Sequence, residues 1–215
     1  MKNATGEKIR VLGINRHRMK TDGKGITTLV ALPGCPLSCR YCINAWELEQ
    51  KERMREVTVE ELAEELAVDH CYFVYTNGGV TFGGGEPLLQ SQALLAFSES
   101  CPKEWQINIE TSLNVPPKQL KPLLNERFSF IIDVKTMDSD IYRSYTGKEQ
   151  DLVLQNIASI AERIPDDQYV IKVPEIPEYT TGEDVEKSCR KLFEMGIQKK
   201  NIVTFSYVVN NNRIV

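Results

Sequence analysis

The sequence has 215 residues, of which 41% are hydrophobic and 26% are charged. This composition is typical of a globular chain, and on a scale of ~100 to 200 residues per domain it predicts a single domain over residues 1–215. The net charge of −4 gives no electrostatic reason to bind nucleic acid. No apolar stretch approaches the ~20 residues of a membrane span, and residues 1–10 lack the apolar core of a secretory signal. We therefore expect a cytoplasmic protein that has no nucleic-acid partner and no membrane partner.

Short runs rich in β-branched and aromatic residues alternate with segments of helical periodicity. Strands are predicted over 28–32, 79–82, 106–110, 128–134, 169–173 and 201–208, and helices over 58–68, 88–100, 117–124, 150–164 and 183–195. Thr58-x-x-Glu61 and Thr180-x-x-Glu183 have the capping-box pattern that starts a helix. The alternation predicts an α/β fold with a parallel sheet, either open or closed into a partial barrel of six units. Residues 210–215 are predicted to be a frayed tail.

Three of the six cysteines lie close together in the chain. Cys35, Cys39 and Cys42 form a C-x3-C-x2-C pattern directly after the first predicted strand, and we call residues 35–42 the cysteine loop. Three thiolates could hold zinc with a fourth ligand from elsewhere, or three corners of a 4Fe-4S cluster with one iron left open. Structural zinc usually gathers two separated cysteine pairs, and the sequence has no second pair, which favours the cluster. Three unligated thiols would leave reactive side chains in a row.

The other three cysteines carry no partner motif. Cys189 lies on an apolar stripe with Val185 and Leu192 of the last predicted helix, which predicts a core position. Cys71 and Cys101 border predicted helices, and we assign them no chemistry.

A glycine-rich segment, residues 83–87, directly follows the second predicted strand, and we call it the glycine loop. The carboxyl ends of parallel strands meet at one edge of a sheet, so the cysteine loop and the glycine loop should share one face. The alternative is an ordinary glycine turn.

With both loops on one face, the sequence resembles the radical S-adenosylmethionine superfamily. Its signature is C-x3-C-x2-C with an aromatic residue before the last cysteine, here Tyr41. Within that superfamily the sequence is similar to the activating enzymes of glycyl radical enzymes. The similarity extends over about 14–176 and is carried by 22–26, 42–44, 56–62, 79–90, 109–111, 132–135 and 171–173, in that order.

The resemblance implies a partial (β/α)6 barrel and one 4Fe-4S cluster held by Cys35, Cys39 and Cys42. The open iron would bind the methionyl part of S-adenosylmethionine. An electron from flavodoxin or ferredoxin would cleave that molecule to a 5′-deoxyadenosyl radical. The radical would then abstract hydrogen from a glycine of a partner glycyl radical enzyme, or from a peptide substrate.

The resemblance also implies that several residues contact S-adenosylmethionine. Tyr41 would bind the cofactor beside the cluster. Gly84 and Gly85 have no side chain, so backbone at the end of the second predicted strand could approach the methionyl amine. The positive charge of that amine suits Glu86 or nearby carbonyl groups.

Polar residues at the next strand ends complete the implied site. Glu110, which stands where these enzymes commonly have an aspartate, would bind the cofactor and a monovalent cation together with Thr111 and Asp133. Lys135 and Lys172 would act as catalytic residues that neutralise the carboxylate or approach the sulfonium. Lysines at strand ends are also common as solvated side chains.

Several residues depart from the family pattern. Asp22 would contact the substrate, but Lys24 replaces a proline and Thr27 an arginine in the same segment. Ile43 replaces a histidine. Lys172 replaces an arginine and so loses the bidentate fork that matches a carboxylate. The part of the chain that faces the substrate is therefore expected to differ from the family.

Two alternative functions remain open from the sequence. One is a radical S-adenosylmethionine enzyme that modifies a peptide or a small molecule, which the changed segment after Asp22 favours. The other is a cysteine-rich metal-binding or electron-transfer module, which the glycine loop and Glu86 disfavour.

Overall fold

The computed structural model describes residues 6–19, 22–210 and 213–214. The strands are β1 Lys8–Val11, β2 Gly13–Met19, β3 Ile26–Leu32, β4 Arg55–Thr58, β5 Gly79–Gly84, β6 Gln106–Thr111, β7 Ser129–Asp133, β8 Tyr169–Glu175, β9 Ile202–Ser206, β10 Val209–Asn210 and β11 Arg213–Ile214. The α-helices are α1 Ala45–Glu49, α2 Val59–Leu66, α3 His70–Thr76, α4 Ser91–Ser100, α5 Pro117–Leu120, α6 Ser139–Thr146, α7 Asp151–Arg163 and α8 Gly182–Glu194. No described helix is long and apolar enough to cross a bilayer.

A seven-stranded sheet forms the centre, with the order β2-β3-β5-β6-β7-β8-β9. β2 is antiparallel to β3, and every other neighbouring pair is parallel. The six parallel strands are those that the sequence predicted, and helices connect them in the expected alternation. The predicted α/β fold with a partial six-unit barrel is therefore confirmed.

Alternation along the central strands divides the sheet into an apolar face and a polar face. On β6 the side chains of Ile107 and Ile109 are almost fully buried in the main core. Asn108 points the other way, where its amide donates to the Thr81 hydroxyl of the neighbouring strand (3.1 Å). Glu110 follows at the same spacing. The polar inner face brings charged side chains to the carboxyl ends of the strands.

The sequence did not predict several elements. β2 reads GINRHRM, in which charged residues replace the apolar positions of a half-buried strand, because β2 is an edge strand with only one neighbour. The β1–β4 pair, α3 and α6 were also missed. Of the tail that was predicted to fray over 210–215, residues 211, 212 and 215 lie outside the described residues, and β10 pairs with β11.

One capping box is confirmed and the other is displaced. Thr58 and Glu61 bond each other reciprocally at the start of α2. The box at α8 is formed by Thr181 and Asp184 instead of the predicted Thr180 and Glu183. The reason is local, because the Thr180 hydroxyl accepts a hydrogen bond from the Ile176 N–H (2.6 Å) and closes the turn after β8.

The three isolated cysteines have different surroundings. Cys101 is buried, Cys71 is exposed on α3, and Cys189 is only partly buried. The predicted core position of Cys189 is therefore wrong. α8 buries Leu192 fully, but Cys189 faces a surface groove between α8 and β9.

Asp184→Ala should lower the free energy of unfolding by about 1 kcal/mol, because it removes half of the capping box of α8. Hydrogen bonds from Thr181 hold the pKa of Asp184 below its usual value. The stabilisation is thus present above the unfolded pKa of ~3.9 and is lost as the pH falls through the lowered folded pKa. Urea denaturation of the wild type and the variant at neutral and acid pH would measure both effects.

Glu183→Ala is the matched control. Its carboxylate makes an ion pair with Lys187 (2.9 Å), and an exposed pair of this kind contributes little to stability. An equal or larger loss of stability in the Glu183 variant would contradict the displaced box.

Candidate functional site

The cysteine loop and the carboxyl ends of β5, β6 and β7 enclose one cavity, which we call the cysteine cavity. Its lining includes Cys35, Cys39, Tyr41, Cys42, Asn44, Gly84, Gly85, Glu86, Glu110, Thr111, Ser112, Asp133, Lys135 and Tyr207. The structure thus brings together every predicted site residue except Asp22 and Lys172. Lys172 reaches the same region from β8, because its ammonium donates to Glu110 Oε1 (3.0 Å).

Backbone hydrogen bonds fix the position of the cysteine loop. The Ser38 N–H donates to the Thr146 carbonyl (2.9 Å) and the Arg40 N–H to the Tyr145 carbonyl (3.1 Å), both at the end of α6. Beyond the loop, the Asn44 amide donates to the Gly84 carbonyl (2.9 Å). The segment that carries the thiols is therefore tied to α6 on one side and to the glycine loop on the other.

The three cysteines of the loop are free thiols that face one cavity. Surrounding protein raises the pKa of Cys35 to about 11 and that of Cys39 to about 12, although Cys35 is an exposed residue. Such thiols ionise when a metal binds them, so metal loading releases protons. Within the described ranges no three Cys, His, Asp or Glu side chains are grouped closely enough to share a single ion. A cluster does not need that convergence, because each thiolate binds a different iron, and an all-sulfur donor set suits iron–sulfur chemistry.

The glycine loop packs directly against the backbone that precedes Cys35. The Gly85 N–H donates to the Leu32 carbonyl (3.0 Å) and the Glu86 N–H to the Gly34 carbonyl (2.7 Å). A Cβ on Gly85 would lie 2.1 Å from the Gly34 oxygen, which no side chain could tolerate. Gly85 is therefore required for the contact between the two loops.

Glu86 connects the glycine loop to the end of β6. Its carboxylate is buried, and Oε1 accepts from the Thr111 hydroxyl (2.6 Å) and the Leu88 N–H (3.2 Å). Oε2 accepts from the N–H (3.0 Å) and hydroxyl (2.7 Å) of Ser112. Burial raises the pKa of Glu86 while these hydrogen bonds act in the opposite direction. In this arrangement both Glu86 and Thr111 hold neighbouring loops together.

Two charged pairs lie on the side of the cavity nearest β7 and β8. Lys135 is 8% exposed, and its ammonium donates to Asp133 Oδ2 and to the Tyr207 hydroxyl (3.3 Å). Burial acts to lower the pKa of Lys135, but Asp133, Tyr207 and Cys39 together outweigh it and hold this pKa well above its usual value. Asp133 Oδ1 is buried and has no hydrogen-bond partner within the described residues. The second pair is Glu110 and Lys172.

Asp22 lies away from the cysteine cavity, just before β3 and therefore at the amino ends of the parallel strands. Its side chain is 4% exposed and accepts hydrogen bonds from the Arg18 guanidinium. Its backbone carbonyl accepts from the Thr81 hydroxyl. The structure uses Asp22 in packing, and it does not bring this residue together with the other predicted site residues.

Four tyrosines surround the inner end of the cysteine loop. Tyr41, Tyr145 and Tyr179 contact each other edge to face or tilted, with ring centroids 5.0 to 6.4 Å apart. Tyr207 packs against the same group, and so does Cys39. The sequence analysis singled out only Tyr41, because the others lie in α6 and in the segments that follow β8 and β9, whose residues carry no motif.

Sequence reasoning therefore missed Asn44, Ser112, Tyr145 and Tyr207. Asn44 was visible in the segment after Cys42, but nothing in that segment indicated its contact with Gly84. The other three could be found only from contacts between distant segments. As a whole, the cysteine cavity presents three soft donors on one side and paired acidic and basic groups on the other, which suits a metal cluster beside a charged polar ligand.

Comparison with known proteins agrees with this arrangement. Residues 29–212 match the family described as the Radical SAM superfamily. The pyruvate formate-lyase-activating enzyme of Clostridium pasteurianum is 35% identical over 132 residues, 59% of this chain and 53% of that enzyme. The (2S)-3-sulfopropanediol dehydratase activating enzyme of Klebsiella oxytoca is 36% identical over 125 residues, 57% of this chain and 38% of that enzyme. The match thus spans about half of these relatives or less.

Solved structures show the same fold at low sequence identity. Streptococcus suis SuiB bound to S-adenosylmethionine superposes with a TM-score of 0.63 and 14% identity, covering 83% of this chain and 39% of SuiB. Coproporphyrinogen III oxidase from Escherichia coli superposes with a TM-score of 0.54 and 16% identity, covering 84% of this chain and 43% of that enzyme. Because the family match covers most of the chain and the three cysteines of the signature line one cavity, this protein belongs to the radical SAM superfamily, whose cofactors are a 4Fe-4S cluster and S-adenosylmethionine.

Proposed function

We propose that this protein activates a glycyl radical enzyme by generating a radical on a glycine of that partner. The observation that carries the proposal is the cysteine cavity, in which a three-thiol loop meets a set of paired charges at the carboxyl ends of parallel strands. The similarity to two activating enzymes of this class supports the choice of partner.

In this proposal Cys35, Cys39 and Cys42 hold the cluster. When bound, the cluster and S-adenosylmethionine supply a one-electron cleavage that yields a carbon-centred radical able to abstract hydrogen. The chain's own residues bind and orient. Lys135 has one N–H beyond the two that bond Asp133 and Tyr207, and it would face the methionyl carboxylate.

Other side chains would complete the binding of S-adenosylmethionine. The unpartnered Asp133 Oδ1 would accept from a donor of the ligand, which supports its place in the site. Glu110 and Lys172 would set the local charge, either for the ligand or for a monovalent cation beside it. Tyr41, packed against Tyr145 and Tyr179, would form an apolar wall next to the last cysteine.

Anaerobic reconstitution with iron and sulfide should load about four iron per chain, and the loaded protein should form 5′-deoxyadenosine from S-adenosylmethionine and a reductant. Cys35→Ala, Cys39→Ala and Cys42→Ala should each abolish that product. Cys71→Ala and Cys189→Ala, which change cysteines outside the cysteine cavity, should retain both iron and product. Stoichiometric zinc without iron uptake would support a metal-binding module instead.

Incubation of the loaded protein with a glycyl radical enzyme from the same organism should give a stable radical on that partner. Electron paramagnetic resonance should show a doublet, and deuterium at the Cα of glycine should collapse it. If 5′-deoxyadenosine forms in step with hydrogen loss from a peptide or a small molecule, and no partner gains a radical, the protein acts on that other substrate.

Gly85→Ala should lower both iron content and S-adenosylmethionine binding. The added Cβ would meet the Gly34 oxygen at 2.1 Å and the Leu32 oxygen at 2.7 Å, so it must push the glycine loop away from the cysteine loop. Iron analysis and equilibrium binding would measure the two losses. Gly182→Ala is the control, because a Cβ there meets no atom within 4 Å. Wild-type iron content in the Gly85 variant would show that the contact between the loops is dispensable.

A further inference from the structure

The hydroxyl of Tyr145 is buried and has no hydrogen-bond partner among the residues that the structure describes. The side chain is 1% exposed, so bulk water does not satisfy it. Most buried polar atoms in proteins are partnered, and leaving one unpaired is energetically unfavourable because its desolvation is not compensated. The unpaired hydroxyl therefore indicates a partner that belongs to the working protein.

A neighbouring tyrosine shows that this is not a general property of α6. Tyr142 lies on the same helix and is also 1% exposed. Its hydroxyl accepts a hydrogen bond from the Asn114 amide (2.9 Å). Two equally buried tyrosines on one helix thus differ in whether their hydroxyl groups are satisfied.

Cys39 is the thiol of the cysteine loop that packs against the group containing Tyr145. This hydrophobic group consists of Tyr41, Tyr145 and Ile176, and Cys39 packs against it. The two amides that flank Cys39, those of Ser38 and Arg40, donate to the carbonyls of Thr146 and Tyr145. The backbone on both sides of this cysteine is therefore fixed to the segment that carries the unpaired hydroxyl.

We propose that the Tyr145 hydroxyl donates a hydrogen bond to an anionic sulfur of the cluster site, either the Cys39 thiolate or a cluster sulfide next to it. Tyr145 is then a positioning residue that acts through the cluster. The inference rests on the proposed function, because the acceptor exists only when the cluster is bound. A phenol O–H is a suitable donor to an anionic acceptor, and such charge-assisted bonds are stronger than neutral ones.

The expected consequence is electronic. Reduction of the cluster adds negative charge that spreads onto its sulfurs, and hydrogen bonds to those sulfurs stabilise the reduced state. The Tyr145 hydroxyl should therefore make the midpoint potential less negative than it would otherwise be. This effect separates the proposal from a purely structural role, which would leave the potential unchanged.

Redox titration of the anaerobically reconstituted Tyr145→Phe variant, monitored by visible absorbance and electron paramagnetic resonance, tests the proposal. The midpoint potential should shift to a more negative value, because phenylalanine keeps the ring and removes the donor. 3-Fluorotyrosine at position 145 keeps the hydroxyl and makes it a stronger donor, so it should shift the potential in the opposite direction.

Tyr142→Phe is the matched control, since it removes an equally buried hydroxyl that already has a partner. It should lower the melting temperature, because the Asn114 amide loses its acceptor, and it should leave the potential at the wild-type value. An unchanged potential in Tyr145→Phe, or equal shifts in the two phenylalanine variants, would overturn the proposal. A water that bridges Tyr145 to Asp133 Oδ1 would give that unchanged potential.

The titration needs only the bound cluster and no turnover. If the wild-type chain takes up no cluster, both the proposed function and this inference fail. If the cluster forms and the potential ignores Tyr145, only the inference fails. If the potential shifts as expected but no glycyl radical forms on any partner, the inference stands and the partner assignment fails.

Discussion

The close approach of Gly85 to the backbone at Gly34 is the contact on which the rest of the site depends. The cysteine loop has no helix or strand of its own, so its shape comes from bonds to neighbouring segments. Because Gly85 has no Cβ, the glycine loop can approach the carbonyls of Leu32 and Gly34 just before Cys35. Glu86 then extends this connection to the end of β6 through Thr111 and Ser112. Three strand ends are thereby fixed relative to the thiols.

Residue types that repeat along the chain allowed the fold to be predicted from sequence. The six parallel strands are apolar and β-branched, so periodicity located all of them, and the C-x3-C-x2-C spacing located the thiols without any tertiary information. β2 was not predicted because most of its residues are polar, which an edge strand permits. The capping box of α8 was displaced by one residue because the Thr180 hydroxyl is used by the preceding turn. In both cases the surroundings of the segment in the folded chain determined the structure, and the segment's own residues did not indicate it.

The candidate site was predictable in membership but not in role. Most of the residues singled out line one cavity, because strand ends of a parallel sheet must converge. Their hydrogen bonds could not be read from spacing. The Glu86 carboxylate accepts hydrogen bonds from Thr111 and Ser112. Lys172 forms an ion pair with Glu110 across the intervening strand β7. A motif identifies where a side chain lies, whereas its partners depend on segments far away in sequence.

Pairing of charge explains how a cavity at the end of a barrel can hold an ammonium as buried as that of Lys135. A buried ion is stable only when a partner and further hydrogen bonds offset its desolvation, and Asp133 and Tyr207 supply both. The two acidic and two basic groups of the pairs Asp133–Lys135 and Glu110–Lys172 form one wall of the cavity, and their charges cancel. A ligand with charges of both signs can therefore bind there without leaving a net charge uncompensated. The wall in turn faces thiols that become anionic when they bind iron, and positive groups of a ligand between the two would be attracted to that side. The cavity therefore has two opposed surfaces, a loop whose donors are all sulfur and a set of ion pairs without net charge. A zwitterionic ligand with an additional positive centre is complementary to these two surfaces.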